Sequence, residues 1–171
     1  MARPLGTLMA AASAAALLTA CAENEVAVSE DAAIVQRVAD GDSIVLEGGD
    51  RVRLLQIDAP ELGAGECYGR EALRELGGML QRGDAIALET DPRLDRVDRH
   101  RRLLRYVRVG ETNVNVELVR RGAATPYFLH GARGRHADAL LEAVAGARDG
   151  RRGMWGSCRV SWSPNRQVET R

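Results

Sequence analysis

The chain has 171 residues, 45% of them apolar and 28% charged. That is one domain's length with enough apolar surface for a core, and a mean hydropathy of −0.24 excludes both an integral membrane bundle and a disordered tail. Basic and acidic residues both number 24, so the formal net charge is zero, which taken globally argues against a polyanionic partner. The zero is a cancellation. All 24 cations are Arg; residues 1–90 hold 7 Arg against 15 acids (−8), and residues 91–171 hold 17 Arg against 9 acids (+8).

Residues 1–20 read as a signal peptide, with Arg3 as the positive start and Leu5 to Leu18 as an uncharged apolar run too short for a comfortable span. Leu18-Thr19-Ala20-Cys21 resembles a bacterial lipobox, in which cleavage leaves Cys21 as a lipidated N-terminus anchored in a membrane. Ala22 after it leans towards outer-membrane sorting, so the expectation is an exported envelope lipoprotein on the outer-membrane or periplasmic side. An ordinary Ala-rich signal peptide that ends near a Cys is the alternative. Residues 21–32 are acidic and read as a tether. With Cys21 lipidated, Cys67 and Cys158 remain as a pair, and in an oxidising compartment a disulfide between them is expected. There is no CxxC, and His100, His130 and His136 are scattered, which argues against a structural zinc site.

Ala33 to Val38 and Ser43 to Glu47 are short apolar runs joined through Asp40-Gly41, a hairpin signal. Arg51 to Ile57 is a third strand. Tyr68 to Gln81 places Ala72, Leu73, Leu76, Met79 and Leu80 at helical spacing. Ala85 to Glu89 and Leu103 to Val109 are the fourth and fifth strands. Thr112 caps a helix running through Leu118 and Val119 to Gly122, and Arg135 to Arg148 is a third, amphipathic helix. Residues 159–171 are polar and expected to be a loose tail. Three strands in direct succession exclude a doubly wound sheet. Five short strands, one helix after the third and two after the fifth, suggest an α+β chain built on a five-stranded OB-type barrel with three helices, spanning residues 33–158.

Three stretches carry chemistry. Asp40-Gly41-Asp42-Ser43 is a turn, but Asp42 falls at the start of a strand, where Asp is disfavoured. Arg53 lies in an otherwise apolar strand that ends in Asp58-Ala59-Pro60-Glu61. Asp42 and Asp58 could converge as hard oxygen ligands for Ca²⁺. Asp95 to Arg105 is dense in Arg. Each stretch alone also reads as an ordinary turn, strand end or solvated loop.

Together, in order, these stretches resemble the staphylococcal nuclease (thermonuclease) family. The matching blocks are Asp40 to Ser43, Val52 to Glu61, Tyr68 to Ala72, Asp98 to Leu104 and Val114 to Gly122, with Gly153-Met154-Trp155 after them. The resemblance implies an OB-fold nuclease that is Ca²⁺-dependent and cleaves DNA and RNA to 3′-phosphate products, acting as a monomer. By position it implies Asp42, Asp58 and the Ala59 backbone carbonyl as metal ligands and Glu61 as the general base. It likewise implies Arg53 and Arg102 on the scissile phosphate. Those assignments suit the chemistry, because guanidinium groups stabilise phosphoryl charge and a hard cation polarises the ester. Arg99 and Tyr127 are candidate substrate contacts. The chain departs from the family at Ala59, usually Thr, at Arg101, usually Gly, and in a shorter loop between Glu61 and Tyr68. Its Cys67 and Cys158 are absent from the type member. A non-catalytic OB module that binds nucleic acid or protein at the cell envelope is the main alternative, and a purely structural lipoprotein is a third.

Overall fold

The computed structural model describes Met1 and residues 30–171, so the expected signal peptide, the Cys21 anchor and most of the tether lie outside the described residues. Strands β1 (Glu30–Asp40), β2 (Ser43–Leu46) and β3 (Arg51–Leu54) form a meander, and β5 (Ala85–Glu89) and β6 (Leu103–Val109) follow helix α1 (Gly69–Met79). The order β3-β2-β1-β5-β6 closes on itself because β6 also pairs with β3, in parallel, through Val52↔Leu103, Arg53↔Leu104 and Leu54↔Arg105. The result is the expected closed five-stranded barrel of mixed pairing. Helices α2 (Val114–Arg121) and α3 (Ala137–Asp149) follow it, and α4 (Met154–Ser157) adds one short turn.

Closure depends on β1, which serves both neighbours. Its first half pairs with β5, from Glu30↔Glu89 to Ile34↔Ala85, and its second half with β2, from Val35↔Leu46 to Asp40↔Ser43. Register irregularities at Val35/Arg37 and Val38/Asp40 supply the bend, as bulges do in barrels. The strand starts at Glu30 rather than Ala33, because its ladder with β5 needs only backbone groups and not apolar side chains. Inside the barrel and under the helices lie Ile44, Val52, Leu54, Leu76, Val107 and Leu118, all essentially solvent-free.

The third strand differs from expectation. It stops at Leu54, and the chain reverses through Gln56, whose φ of 59° is left-handed. Ile57–Asp58 then forms β4, paired not in the barrel but with β8 (Thr125–Pro126) through Ile57↔Pro126 and Asp58↔Thr125. Gln56 is held in this conformation by three hydrogen bonds. Its Nε2 donates to Ala132 O (2.7 Å), and its Oε1 accepts from the Tyr106 hydroxyl (3.0 Å) and Gly134 N (2.9 Å). The cap of α2 also shifts by one residue. Thr112 is drawn into the two-residue strand β7 (Thr112–Asn113), opposite Val109, and Asn113 accepts from Val116 N instead. The helix ends as expected at Gly122, left-handed at φ 73°, where a Cβ would collide with the Arg152 carbonyl oxygen.

The tail is not loose. Val160–Ser163 (β9) and Arg166–Thr170 (β10) form an antiparallel hairpin around Pro164-Asn165. Its apolar alternates face the protein: Val168 is buried, and Trp162 stacks edge-on to Trp155 and donates Nε1 to Pro126 O (2.8 Å). The polar residues that suggested looseness are the outer face of a strand pair.

Cys67 and Cys158 are bonded, with Cα atoms 6.0 Å apart, joining the entrance of α1 to the exit of α4. A bridge across 91 residues is worth about 4–5 kcal/mol through the unfolded chain. Replacing both cysteines with Ser is expected to lower the stability measured by urea unfolding by that order, and an unchanged midpoint would show that the bridge constrains little.

Candidate active site

The turn that delivers Asp42 packs tightly against its neighbours. A Cβ on Gly41 would lie 2.8 Å from the Cβ atoms of both Ala59 and Ala72, so only Gly lets the β1–β2 turn settle against α1 and the chain after β4. Asp42 is consequently buried, 6% exposed, as is Asp58 at 2%.

Arg53 lies between the two carboxylates. Its Nη2 is 2.8 Å from Asp42 Oδ2 and 2.9 Å from Asp58 Oδ1, while Nη1 donates to the Leu54 and Ile57 carbonyls (3.0 and 2.7 Å). The remaining carboxylate oxygens are also bonded. Asp42 Oδ1 accepts from the Ser43 hydroxyl (2.9 Å), Asp42 Oδ2 from Ala59 N (3.1 Å), and Asp58 Oδ2 from Val168 N (2.9 Å). Burial pushes the Asp58 carboxyl above its ordinary range; the Arg53 charge opposes this, and the Asp42 charge adds to it.

Glu61 is an exposed residue on the loop that follows, with its backbone N–H donating to Glu66 Oε2 (2.8 Å). Its carboxyl is raised as well, first by partial loss of hydration against the site wall and then by the charges of Asp40, Asp42 and Asp58. Asp42, Arg53, Asp58 and Glu61 thus share one electrostatic neighbourhood.

Arg102 precedes β6, and strand alternation from the Arg53↔Leu104 pair puts it on the face that carries Arg53. Its Nε donates to Asp98 Oδ2 (2.7 Å), and Arg102 N and His100 N both donate to Asp98 Oδ1 (3.0 and 2.8 Å). Burial alone would raise the Asp98 carboxyl, but these bonds bring it below its ordinary range. Arg101 takes a left-handed φ of 62°, a conformation that suits Gly and strains a residue with a side chain.

Arg99 is exposed, and its Nε donates to His100 Nε2 (3.1 Å); Tyr127 is half-buried and its N–H donates to Gln56 O (2.9 Å). Among the described residues no hydrogen bond or ion pair links either of them to Asp42, Arg53, Asp58 or Glu61. Asp98, Gln56 and Val168 are the site-building residues that sequence reasoning missed. The Asp98 signal was present, since an Asp four residues ahead of an Arg in a turn is an Asx cap. Nothing local marks Val168, which meets Asp58 across 110 positions.

Among the described residues no three His, Cys, Asp or Glu side chains form a ready metal cluster. The donors at this corner nonetheless suit a hard cation. They are all oxygens, two buried carboxylates share a single guanidinium, and the carbonyl of buried Ala59 accepts no hydrogen bond among the described residues.

Comparison with known proteins bears on this geometry. The family model for staphylococcal nuclease homologues matches residues 51–157. The chain is 32% identical over 137 residues to "Endonuclease YhcR" of Bacillus subtilis (strain 168), an alignment covering 71% of this chain and 11% of that protein. It is 36% identical over 134 residues to "Protein ParB" of Escherichia coli, covering 71% of this chain and 70% of that one. The chain therefore spans only a small part of the Bacillus protein.

Arg53→Gln leaves two buried carboxylates facing each other without their counter-charge, which is expected to cost about 3–5 kcal/mol at neutral pH. Because the folded-state Asp58 value already lies above 3.8, the folded chain takes up its proton more readily than the unfolded one. Part of the loss is therefore recovered as pH falls through that raised value. Urea midpoints at pH 7 and pH 5 check this; equal deficits at both would show that charge is not the cause.

Proposed function

The chain belongs to the staphylococcal nuclease homologue family, and on that footing we propose that it is a Ca²⁺-dependent phosphodiesterase that cleaves DNA and RNA, leaving 3′-phosphate and 5′-hydroxyl ends. The observation that carries this reading is the convergence of Asp42, Arg53 and Asp58 at one corner of a barrel of that family, with Glu61 on the loop that follows. Asp42, Asp58 and the Ala59 carbonyl would hold the cation, which supplies Lewis-acid polarisation of a phosphoryl oxygen.

The chain's own residues supply the rest. Glu61, its carboxyl raised above the ordinary range, accepts the proton of the attacking water at a carboxylate oxygen. Arg102 is anchored to Asp98 through Nε, and among the described residues nothing accepts from its Nη groups, which leaves that edge for phosphate. Arg53 presents the second guanidinium once its carboxylate bonds are exchanged for phosphate oxygens. Arg102 is fixed before substrate arrives, so charge developing on the phosphoryl oxygens meets at least one preorganised guanidinium. The P–O5′ bond breaks, and the leaving oxygen takes a proton from solvent.

Incubation of the purified protein with single-stranded DNA or RNA is expected to give cleavage with Ca²⁺ and none with excess chelator. Arg102→Ala is expected to slow cleavage about 10²- to 10³-fold with little change in thermal midpoint. Wild-type rates in that variant would defeat the phosphate assignment, and no cleavage with any divalent ion would leave a nucleic-acid-binding barrel.

The pH dependence tests Glu61 separately. A base must be unprotonated, so the rate rises as pH passes upward through the raised Glu61 value. Asp40→Asn removes one of the charges that raise it, and the rising limb is expected to move to lower pH. A limb that stays in place would sink Glu61 as the base.

A further inference from the structure

The C-terminal hairpin lies beyond residues 51–157, the part the family model matches, yet its backbone reaches the carboxylate cluster. Val168 N–H does not serve the hairpin's own ladder. Pairing passes from Arg166↔Ser163 to Glu169↔Ser161 with an irregularity between them, and there the Val168 amide turns away to donate to Asp58 Oδ2. Bulges commonly re-aim a group in this way beside functional sites.

The hairpin's placement is over-determined. Trp162 Nε1 donates to Pro126 O (2.8 Å), Phe128 N to Pro164 O (2.6 Å), and the Thr170 hydroxyl to Cys67 O (2.6 Å). Arg159 and Arg171 exchange both backbone bonds at its base, next to the disulfide at Cys158. These ties fall on β8, which pairs with Asp58, on Phe128 just beyond it and on Cys67 at the entrance of α1. With Oδ1 bonded to Arg53 and Oδ2 to Val168, both oxygens of Asp58 are held and the plane of the carboxylate is fixed.

We propose that the C-terminal hairpin is a positioning element that this chain adds to the nuclease barrel, with the Val168 amide orienting Asp58 for the divalent cation. This rests on the metal site proposed above. Outer partners of ligating groups typically contribute 10- to 100-fold in metal affinity, because an unheld carboxylate must be ordered when the ion binds. A hairpin that only packs would alter thermal stability and leave cation affinity alone.

Calorimetric titration of Ca²⁺ into the purified protein, with no nucleic acid present, tests the inference directly. Val168→Pro removes the N–H. Val168→Ala keeps it and removes only side-chain bulk, and a chain ending at Arg159 removes the hairpin but keeps the disulfide. Val168→Pro and the shortened chain are expected to bind Ca²⁺ about tenfold more weakly, with Val168→Ala within about threefold of wild type. Cleavage lost at limiting Ca²⁺ is expected to return when Ca²⁺ is raised. Should Val168→Pro not fold, the shortened chain gives the same readout. Unchanged affinity in either folded variant overturns the proposal. So does an equal loss in Val168→Ala, which would assign the effect to packing. A wild-type protein that binds no Ca²⁺ would instead overturn the metal site itself, and this inference with it.

Discussion

One guanidinium shared by two buried carboxylates is the constraint on which the rest of this corner depends. Asp42 and Asp58 come from different turns, and each is nearly free of solvent. Without Arg53 between them, burial and mutual repulsion would keep them apart or protonated. Arg53 reaches both because β2 pairs with β3 through Ser43↔Arg53, which sets Asp42 beside it, and because the chain turns back at Gln56 and returns Asp58 to it. A buried ion triad of this kind adds little net stability, since desolvation offsets most of the attraction.

The fold around the triad is arranged to hold it still. Gln56 sits in a left-handed conformation that costs about 1 kcal/mol or more, and three hydrogen bonds offset it, one from a Tyr106 hydroxyl that burial keeps protonated. Asn115, fully buried, ties α2 to the same bend by donating Nδ2 to Leu55 O (2.8 Å) and accepting from Val107 N (3.0 Å). Strain at the bend and satisfied polar groups beside it are two sides of one device, which moves Asp58 off the barrel and into the site.

The charge balance also acquires a spatial meaning. Most of the acidic excess lies in the first half, which contains Asp42, Asp58 and Glu61, and the basic excess includes Arg102 and the Arg-dense stretch around it. A zero total leaves little long-range steering towards a polyanion. On the proposed reading contacts to phosphate are then local, and Asp98 suits that by fixing Arg102 through two hydrogen bonds to its carboxylate.

The sequence by itself determined the barrel, the three main helices and the candidate residues of the site. Alternation and helical spacing are local properties of the chain, so Ala85–Glu89 and Leu103–Val109 are strands of the expected length. The residue types in Asp42, Arg53, Asp58 and Glu61 are equally local, and the pairing of Cys67 with Cys158 across 91 residues followed from counting once Cys21 was set apart. Tertiary structure decided what depends on distant partners. Arg51 to Ile57 reads as one strand, and only Tyr106, Ala132 and Gly134 make Gln56 break it. Residues 159–171 read as a loose tail because half of a hairpin's residues face water, and only Pro126, Cys67 and Asp58 give the other half a surface to meet. A hydrogen bond across 110 positions leaves no periodicity in the chain, so the tie between Val168 and Asp58 exists only in three dimensions.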